Sequence, residues 1–359
     1  MKFVHVSVIA ENSGPLSFLS EWVNGTTFGG KLVALLVGIL VFGAVFFAIL
    51  FLASLFRGRS GEKVQAVAFI GPTVLLIGFG LIYPAILTIR RAFYSGKFFD
   101  IHLGSPRVQG KFVGLDNFKK LFTSSGLPEV FLNTALWVIL VPLFATGLGL
   151  LYAVLIDRAR GEAIAKALIF MPMAISMVGA TLIWKFVYDF NGSPGATQIG
   201  LLNALLGAVG ISPVSWLGAP TGAIPLNTLC LIVIMVWIQA GFAMTVLSAA
   251  IKAIPDDILE AAKMDGVGGL QLFRFVTLPS IRSSVIVVVT TIGIATLKAF
   301  DIVQATDGGT QHDSVLANEF YRRSFVTQEP GLGAAIAIVI FLLVTPIIIF
   351  NVIQMRKDA

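Results

Sequence analysis

Charge is what this sequence has least of. Only 12% of its 359 residues are Asp, Glu, Lys or Arg, while 57% are hydrophobic, and the mean hydropathy is +0.91. A soluble chain of this length needs a polar surface, and there are too few polar groups here to cover one. A soluble enzyme and a disordered tail are therefore poor readings. A single cysteine, Cys230, excludes an intrachain disulfide and leaves no thiolate metal or redox framework. The three histidines, His5, His102 and His312, are too scattered for metal-ligand spacing. The net charge of +6 would suit nucleic acid, but no compact basic patch accompanies it. Basic residues bordering membrane spans explain the same balance.

What is present is a series of long apolar runs. A spanning helix needs about 20 apolar residues, because the hydrocarbon core is roughly 30 Å thick. Charge-free or nearly charge-free windows predict spans at Leu32–Phe56, Val64–Ile89, Val130–Ile156, Ala167–Trp184, Leu226–Ile251, Ser283–Ala305 and Pro330–Met355. The breakers Asn191-Gly-Ser-Pro-Gly195, Ser212-Pro213, Ala219-Pro220 and Pro225 make the stretch before the fifth span a loop. Ile199–Val209 within it is too short to cross and predicts a helix lying at the membrane surface. The fold class is therefore all-α: a polytopic membrane bundle of about seven spans. Residues 1–63 carry an additional first span and residues 64–359 the main transmembrane domain.

One alternate set of connections holds 12 Lys/Arg and the other 11. The first set is far shorter, so its density of basic residues is roughly threefold higher, which places it in the cytoplasm. The N-terminus is then outside and the C-terminus inside. Residues 1–30 lack the apolar core of a cleaved signal peptide. Gly25-Thr-Thr-Phe-Gly-Gly30-Lys31 has P-loop spacing, but Leu32 stands where a Ser or Thr would hold magnesium, and a span follows at once. No nucleotide site is expected there. Trp22, Tyr83, Tyr94 and Tyr321 lie near span ends and suit interface anchoring.

The longest cytoplasmic connection, Lys252 to Arg282, reads as a short helix, a turn and a second short helix. Asp256 follows Pro255 and is placed to cap the first helix through Glu260-Ala261-Ala262, and Gly266 suits its end. On chemistry alone this is equally an amphipathic interfacial helix with no partner. The residue pattern goes further: Glu-Ala-Ala, three residues, Gly, nine residues, an aliphatic, one residue, Leu-Pro. It is carried by Glu260, Ala261, Ala262, Gly266, Val276, Leu278 and Pro279, with Asp265 before the glycine. It resembles the Glu-Ala-Ala loop of ABC importer permeases, with Val276 where Ile is usual. Phe112-Val-Gly-Leu-Asp-Asn117-Phe118, Asn133-Thr134, Trp216-Leu217 and Leu297-Lys298-Ala-Phe300-Asp301 followed by Thr306-Asp-Gly-Gly309 resemble the maltose-type sugar branch. Thr310 after the paired glycines, with Val315-Leu316-Ala317-Asn318-Glu319, resembles the alpha-glucoside permeases. The resemblance covers roughly residues 64–359, which makes six of the spans its core.

That resemblance implies a bacterial cytoplasmic-membrane subunit that is not itself an enzyme. It implies a second permease subunit, an ATPase dimer carrying ATP and magnesium, an extracytoplasmic sugar-binding protein and a sugar substrate. No metal or cofactor is expected in this chain, and no nucleic acid among its partners; lipid surrounds it. Glu260, Ala261, Ala262, Asp265 and Gly266 would form the contact with the ATPase. Side chains at mid-membrane that can meet a sugar are Trp184, Tyr188, Gln239, Phe242, Thr296 and Phe300. For Gln239 an interhelical structural hydrogen bond is an equal reading, and for the aromatics packing or interface anchoring is the stronger one. Lys298 and Asp301, three apart, would share a helix face and pair with each other or with another subunit. A proton relay at that pair is the sharper alternative. Beside the importer stand an ion-driven secondary transporter, which needs no such loop, and a membrane-embedded enzyme, for which no nucleophile or paired-carboxylate constellation lies at one depth.

Overall fold

The computed structural model describes residues 28–54, 59–95, 100–102, 105–107, 110–157, 159–193, 195, 197–218, 225–309 and 312–358. The chain divides into two units, one ending at Ile86 and one running from Leu87 to Ala359. In the first, α1 (Phe28–Ser54) is apolar all round, as a helix wholly surrounded by apolar matter must be. It packs on α2 (Arg59–Ile77), which continues through a π-turn at Gly78–Ile82 into α3 (Tyr83–Arg91). Pro72 sits inside α2.

The second unit opens with two small antiparallel ladders. β1 (Tyr94–Ser95) pairs with β4 (Lys111–Phe112), and β2 (Asp100–His102) with β3 (Ser105–Arg107). The short amphipathic helix α4 (Asp116–Thr123) buries Leu121 and Asn117. Asn117 donates to the carbonyls of Ala92 and Tyr94 at 2.8 and 3.0 Å and so fixes the ladder on the helix.

The core is the pairing of α5 (Leu127–Ile156) with α9 (Leu226–Lys252). Lipid tails are as apolar as leucine, so helices in a bilayer associate through close packing of small residues. Gly149 of α5 meets Ala243 and Met244 so closely that a Cβ there would lie 2.4 Å from the Ala243 Cβ. Gly241 of α9 meets the backbone of Ile169 in the same way. Trp137, Leu231, Met235, Met244 and Leu247 fill the seam.

Gly61–Arg91, Leu127–Ile156, Leu226–Lys252 and Pro330–Gln354 are long and apolar enough to cross a bilayer as continuous helices. The last belongs to α16 (Pro330–Asp358). The fourth predicted span is not one straight helix. It is α6 (Glu162–Phe170) with a 3-10 turn, Met171–Ala174, then α7 (Met177–Val187), bent by 102°. Pro172 tightens the first half, and Ser176, in extended conformation, accepts from the Gly179 N–H at 3.1 Å and starts the second. The predicted surface helix is α8 (Leu201–Ala208).

The loop after α9 carries α10 (Asp256–Met264), α11 (Gly269–Leu272), a π-turn at Phe273–Thr277 and α12 (Leu278–Ser280). The segment Gly269–Ser280 then turns by 70° into α13 (Arg282–Leu297). The sixth predicted span also stops early. α13 ends at Leu297, the chain tightens through Lys298–Phe300, and α14 (Asp301–Thr306) starts afresh. α15 (Leu316–Tyr321) and a π-turn at Arg322–Val326 lead to α16. Trp22, His5 and the first part of the P-loop-like stretch lie outside the described residues; Phe28–Lys31, its end, is already helix.

Candidate functional site

The Glu-Ala-Ala loop is shaped by its two ends. Pro255, not Asp256, occupies the capping position of α10, because its fixed φ of −56° with extended ψ turns the chain into the helix. Asp256 and Asp257 then stand in the first turn, where the helix dipole favours carboxylates. At the other end Gly266 has φ +78°. The Gly266 N–H reaches the Lys263 carbonyl at 3.0 Å and the Val267 N–H the Ala262 carbonyl at 3.3 Å. Those two bonds form a Schellman stop, and its left-handed position strains any residue but glycine. Ile254 and Leu259 face the core, while Glu260, Ala261 and Asp265 are exposed and Ala262 is half-exposed. Met264 is 88% and Leu270 81% exposed. The loop thus presents an apolar surface edged by carboxylates, on the end of the molecule where α5 and α9 terminate.

Four aromatic rings gather around α7 and α9. Trp184 lies 5.2 Å from Tyr188 and 5.8 Å from Trp237, and Tyr188 lies 6.4 Å from Trp216. Tyr188 is buried, and its hydroxyl donates to the Cys230 carbonyl at 3.0 Å. Its polar end is therefore occupied, and the faces of Trp184 and Trp237 are what the cluster can offer a ring. Trp216 owes its place to Asn203 of α8, which is fully buried. Asn203 donates to the carbonyls of Asp189 and Val214, and its oxygen accepts from the Val214 N–H and the Trp216 indole at 3.1 Å. No pattern in the sequence marked Asn203 or Trp237.

The remaining candidates differ in availability. Thr296 is buried and spends its hydroxyl on the Ile292 carbonyl at 2.7 Å. Phe300 lies 5.0 Å from Tyr321, in a second aromatic group continued by Phe325. Phe242 is half-buried on the core cluster. Gln239 is half-buried, and among the described residues its amide has no hydrogen-bond partner. Lys298 and Asp301 do not share a helix face, because the helix breaks between them. Among the described residues no ion pair joins them, and both are exposed. Lys185 instead donates to the Thr306 carbonyl at 2.9 Å, closing the end of α14 on α7. A groove of about 510 Å³ between α5 and the π-turn after α11 is lined by Gly147, Leu150, Leu151, Val154, Gly269, Leu270 and Phe273. Those side chains carry no hydrogen-bonding group for a sugar hydroxyl.

Polar contacts also tie the connection after α14 to the core. Asn133 of α5 donates to the carbonyls of His312 and Ser314 at 2.8 and 3.1 Å and accepts from Thr228 at 3.2 Å. Thr134 accepts from the Leu316 N–H at 2.9 Å. Together they clamp the connection to α5 and α9, two turns inside α5 rather than at its start. Asp313 is 1% exposed, and one of its oxygens has no partner. Burial, and then the nearby Asp307 carboxylate, push its carboxyl up to about 7. Glu319 is the opposite case. Burial alone would raise its carboxyl, but hydrogen bonds from Arg322 at 2.8 and 2.9 Å and from Arg323 at 2.6 Å outweigh that and hold it below the usual range. Arg323 also reaches Glu329 at 2.6 Å.

Residues 145–357 match the family described as the binding-protein-dependent transport system inner membrane component. The chain belongs to that family. As an ABC importer permease it is a membrane subunit, multi-pass in the inner membrane, and the ATP-hydrolysing activity of such systems resides in a separate subunit. This permease is 42% identical to the osmoprotective compounds uptake permease protein GgtC of Synechocystis over 81% of the chain and 98% of that relative. It is 39% identical to the alpha-glucoside transport system permease protein AglF of Rhizobium meliloti over 84% of the chain and 85% of that relative. In fold it resembles a bacterial alginate ABC transporter solved in complex with an alginate pentasaccharide-bound periplasmic protein. The TM-score is 0.67 at 20% identity, covering 84% of this permease and 98% of that chain.

Proposed function

We propose that this permease forms half of the translocation path of an importer for alpha-glucoside disaccharides, beside a second permease subunit and above an ATPase dimer. An extracytoplasmic binding protein delivers the sugar. The N-terminus lies outside and the C-terminus in the cytoplasm, in keeping with the denser basic residues on the side of the Glu-Ala-Ala loop. The observation that carries the reading is that loop. Exposed Met264 and Leu270, with Glu260 and Asp265 on the same loop, are an apolar patch with a charged edge, the chemistry of a protein contact and not of a water-facing turn. Glu260 offers a carboxylate to a basic group on the ATPase, and Ala261 and Ala262 allow close approach. ATP-driven closure of the ATPases displaces the loop and rocks the spans as a body. The name of the relative AglF supports the alpha-glucoside class. Along the path Trp184 stacks on the sugar, and the unpartnered amide of Gln239 meets a hydroxyl. Phe242, Phe300, Thr296 and Tyr188 shape the walls. Lys298 and Asp301, exposed on this chain, face the second permease.

Co-purification tests the assembly: the chain should bring a second permease and an ATPase, with magnesium and ATP bound by the latter. Gly266→Pro should leave insertion intact and abolish uptake of trehalose, maltose and sucrose, since proline cannot take φ +78°. Normal uptake in that variant would sink the coupling role.

A further inference from the structure

At the base of the Glu-Ala-Ala loop lies a polar cluster that the proposed function does not use. Asp157 closes the C-terminal end of α5, Glu162 and Lys166 open α6, and Ser248 and Lys252 end α9. Lys166 reaches Asp157 at 2.5 Å and Glu162 at 2.8 Å, and it also contacts Ser248. Ser248 donates to Asp157 at 2.6 Å, and Lys252 contacts Glu162.

This arrangement is costly on local grounds. An anion at the C-terminal end of a helix opposes its dipole. The Asp157 side chain is only 8% exposed, and its second oxygen has no partner. Buried ion pairs add little net stability, because desolvation offsets their attraction. They do fix geometry: each of the three helix ends is held to the other two, so none can shift without breaking a contact to a charged side chain.

The position gives that rigidity a use. Lys252 is separated from Asp256, the first residue of α10, by only Ala253, Ile254 and Pro255. On the other side α6 leads through the Pro172 turn to α7, which carries Trp184 and is capped by Tyr188.

We infer that Asp157, Glu162, Lys166, Ser248 and Lys252 are the joint that makes the loop stem, the end of α5 and α6 move as one body. Displacement of the loop thereby reaches the bent α6–α7 pair and its aromatic cluster. These are positioning residues; none of them touches sugar or ATP. The inference rests on the proposed contact of the loop with an ATPase.

The test is a reversible break in the joint. In the reconstituted complex, the ATP hydrolysed per sugar imported is measured for the double variant Glu162→Cys with Lys252→Cys, before and after bridging by a bis-maleimide. Radiolabelled trehalose, maltose and sucrose are supplied together. Lys252 is 47% exposed, so the reagent reaches it, whereas the native Cys230 is buried. The unbridged variant should hydrolyse ATP but spend at least fivefold more per sugar. Bridging should return the ratio to within twofold of the parent chain, because a joint that moves as one body tolerates being tied. Ser248→Ala, a milder change, should raise the ratio about twofold to threefold. A normal ratio before bridging, or transport blocked by bridging, would overturn the joint and leave the loop contact standing. Failure of the parent chain to retain the ATPase would instead refute the loop reading, and the joint with it.

Discussion

The crossing of α5 and α9 can be tested with two alanines on one helix. Gly147 and Gly149 are two residues apart in α5, and both gain about the same helix propensity on becoming alanine, up to about 1 kcal/mol. They differ in what the new methyl group meets. At Gly147 nothing lies within 4 Å. At Gly149 the Cβ would sit 2.4 Å from the Ala243 Cβ, 2.7 Å from the Met244 nitrogen and 2.9 Å from the Ala243 carbonyl carbon. Carbon atoms in contact prefer about 3.5–4.0 Å, so α5 and α9 must part by roughly 1 Å. Two of the three blocking atoms are backbone and cannot rotate aside. Overpacking of this kind costs about 1–3 kcal/mol, and here the upper end applies. Since the propensity gain cancels between the variants, their stabilities should differ by about 3 kcal/mol, a factor of roughly a hundred in the folded fraction. Unfolding of the purified chain in mixed micelles by a rising mole fraction of denaturing detergent measures it. Gly147→Ala should be neutral or slightly stabilised and Gly149→Ala clearly destabilised. Equal midpoints for the two would refute the backbone crossing at Gly149.

Two further outcomes follow from the 307–329 connection. Asp313 keeps its proton in the folded chain up to about pH 7, whereas the unfolded chain releases it near the ordinary 3.8. The stability it contributes is therefore complete at low pH and lost as pH rises through about 7. Asp313→Asn should flatten the decline of the unfolding temperature between about pH 4 and pH 7, and an unchanged slope would remove Asp313 as its source. Asn133→Ala strands the buried Ser314 carbonyl, the part-buried His312 carbonyl and the Thr228 hydroxyl, which should cost about 2–4 kcal/mol. Leu132→Ala, at an exposed position of the same helix, should cost much less in the same detergent titration, and parity between them would deny the clamp.

The sequence and the fold agree where one physical signal dominates. The apolar runs at Val130–Ile156 and Leu226–Ile251 became α5 and α9 almost to the residue, because membrane thickness leaves little choice of length. The turn at Gly266 was legible because a helix stop needs a left-handed residue. The breaks at Ile175–Ser176 and Lys298–Phe300 were not legible. Hydropathy continues through both, and only local turn geometry and neighbouring helices end the α-helix there. Lys298 and Asp301 illustrate the cost: a three-residue spacing implies a shared face only while the helix continues. Pairings distant in sequence were equally hidden. Asp157 looks like a loop charge until Ser248 and Lys166 surround it, and Asn203 looks like a polar loop residue until four hydrogen bonds converge on it. Among the sugar-path candidates, Trp184 and Tyr188 lie ring to ring, whereas Thr296 is engaged with its own helix.

The two breaks have a consequence for where lipid can lie. Hydrocarbon offers no partner to a free amide or carbonyl, so irregular backbone survives at membrane depth only behind protein or beside water. The 102° turn at Ile175–Ser176 and the tightened segment Lys298–Phe300 therefore mark a dry-lipid exclusion zone on the surface of this chain. The exposed Lys298 belongs to it. By the same rule the continuous, outwardly apolar Pro330–Gln354 is free to meet acyl chains. Breaks in the helices, more than composition, mark where acyl chains cannot lie.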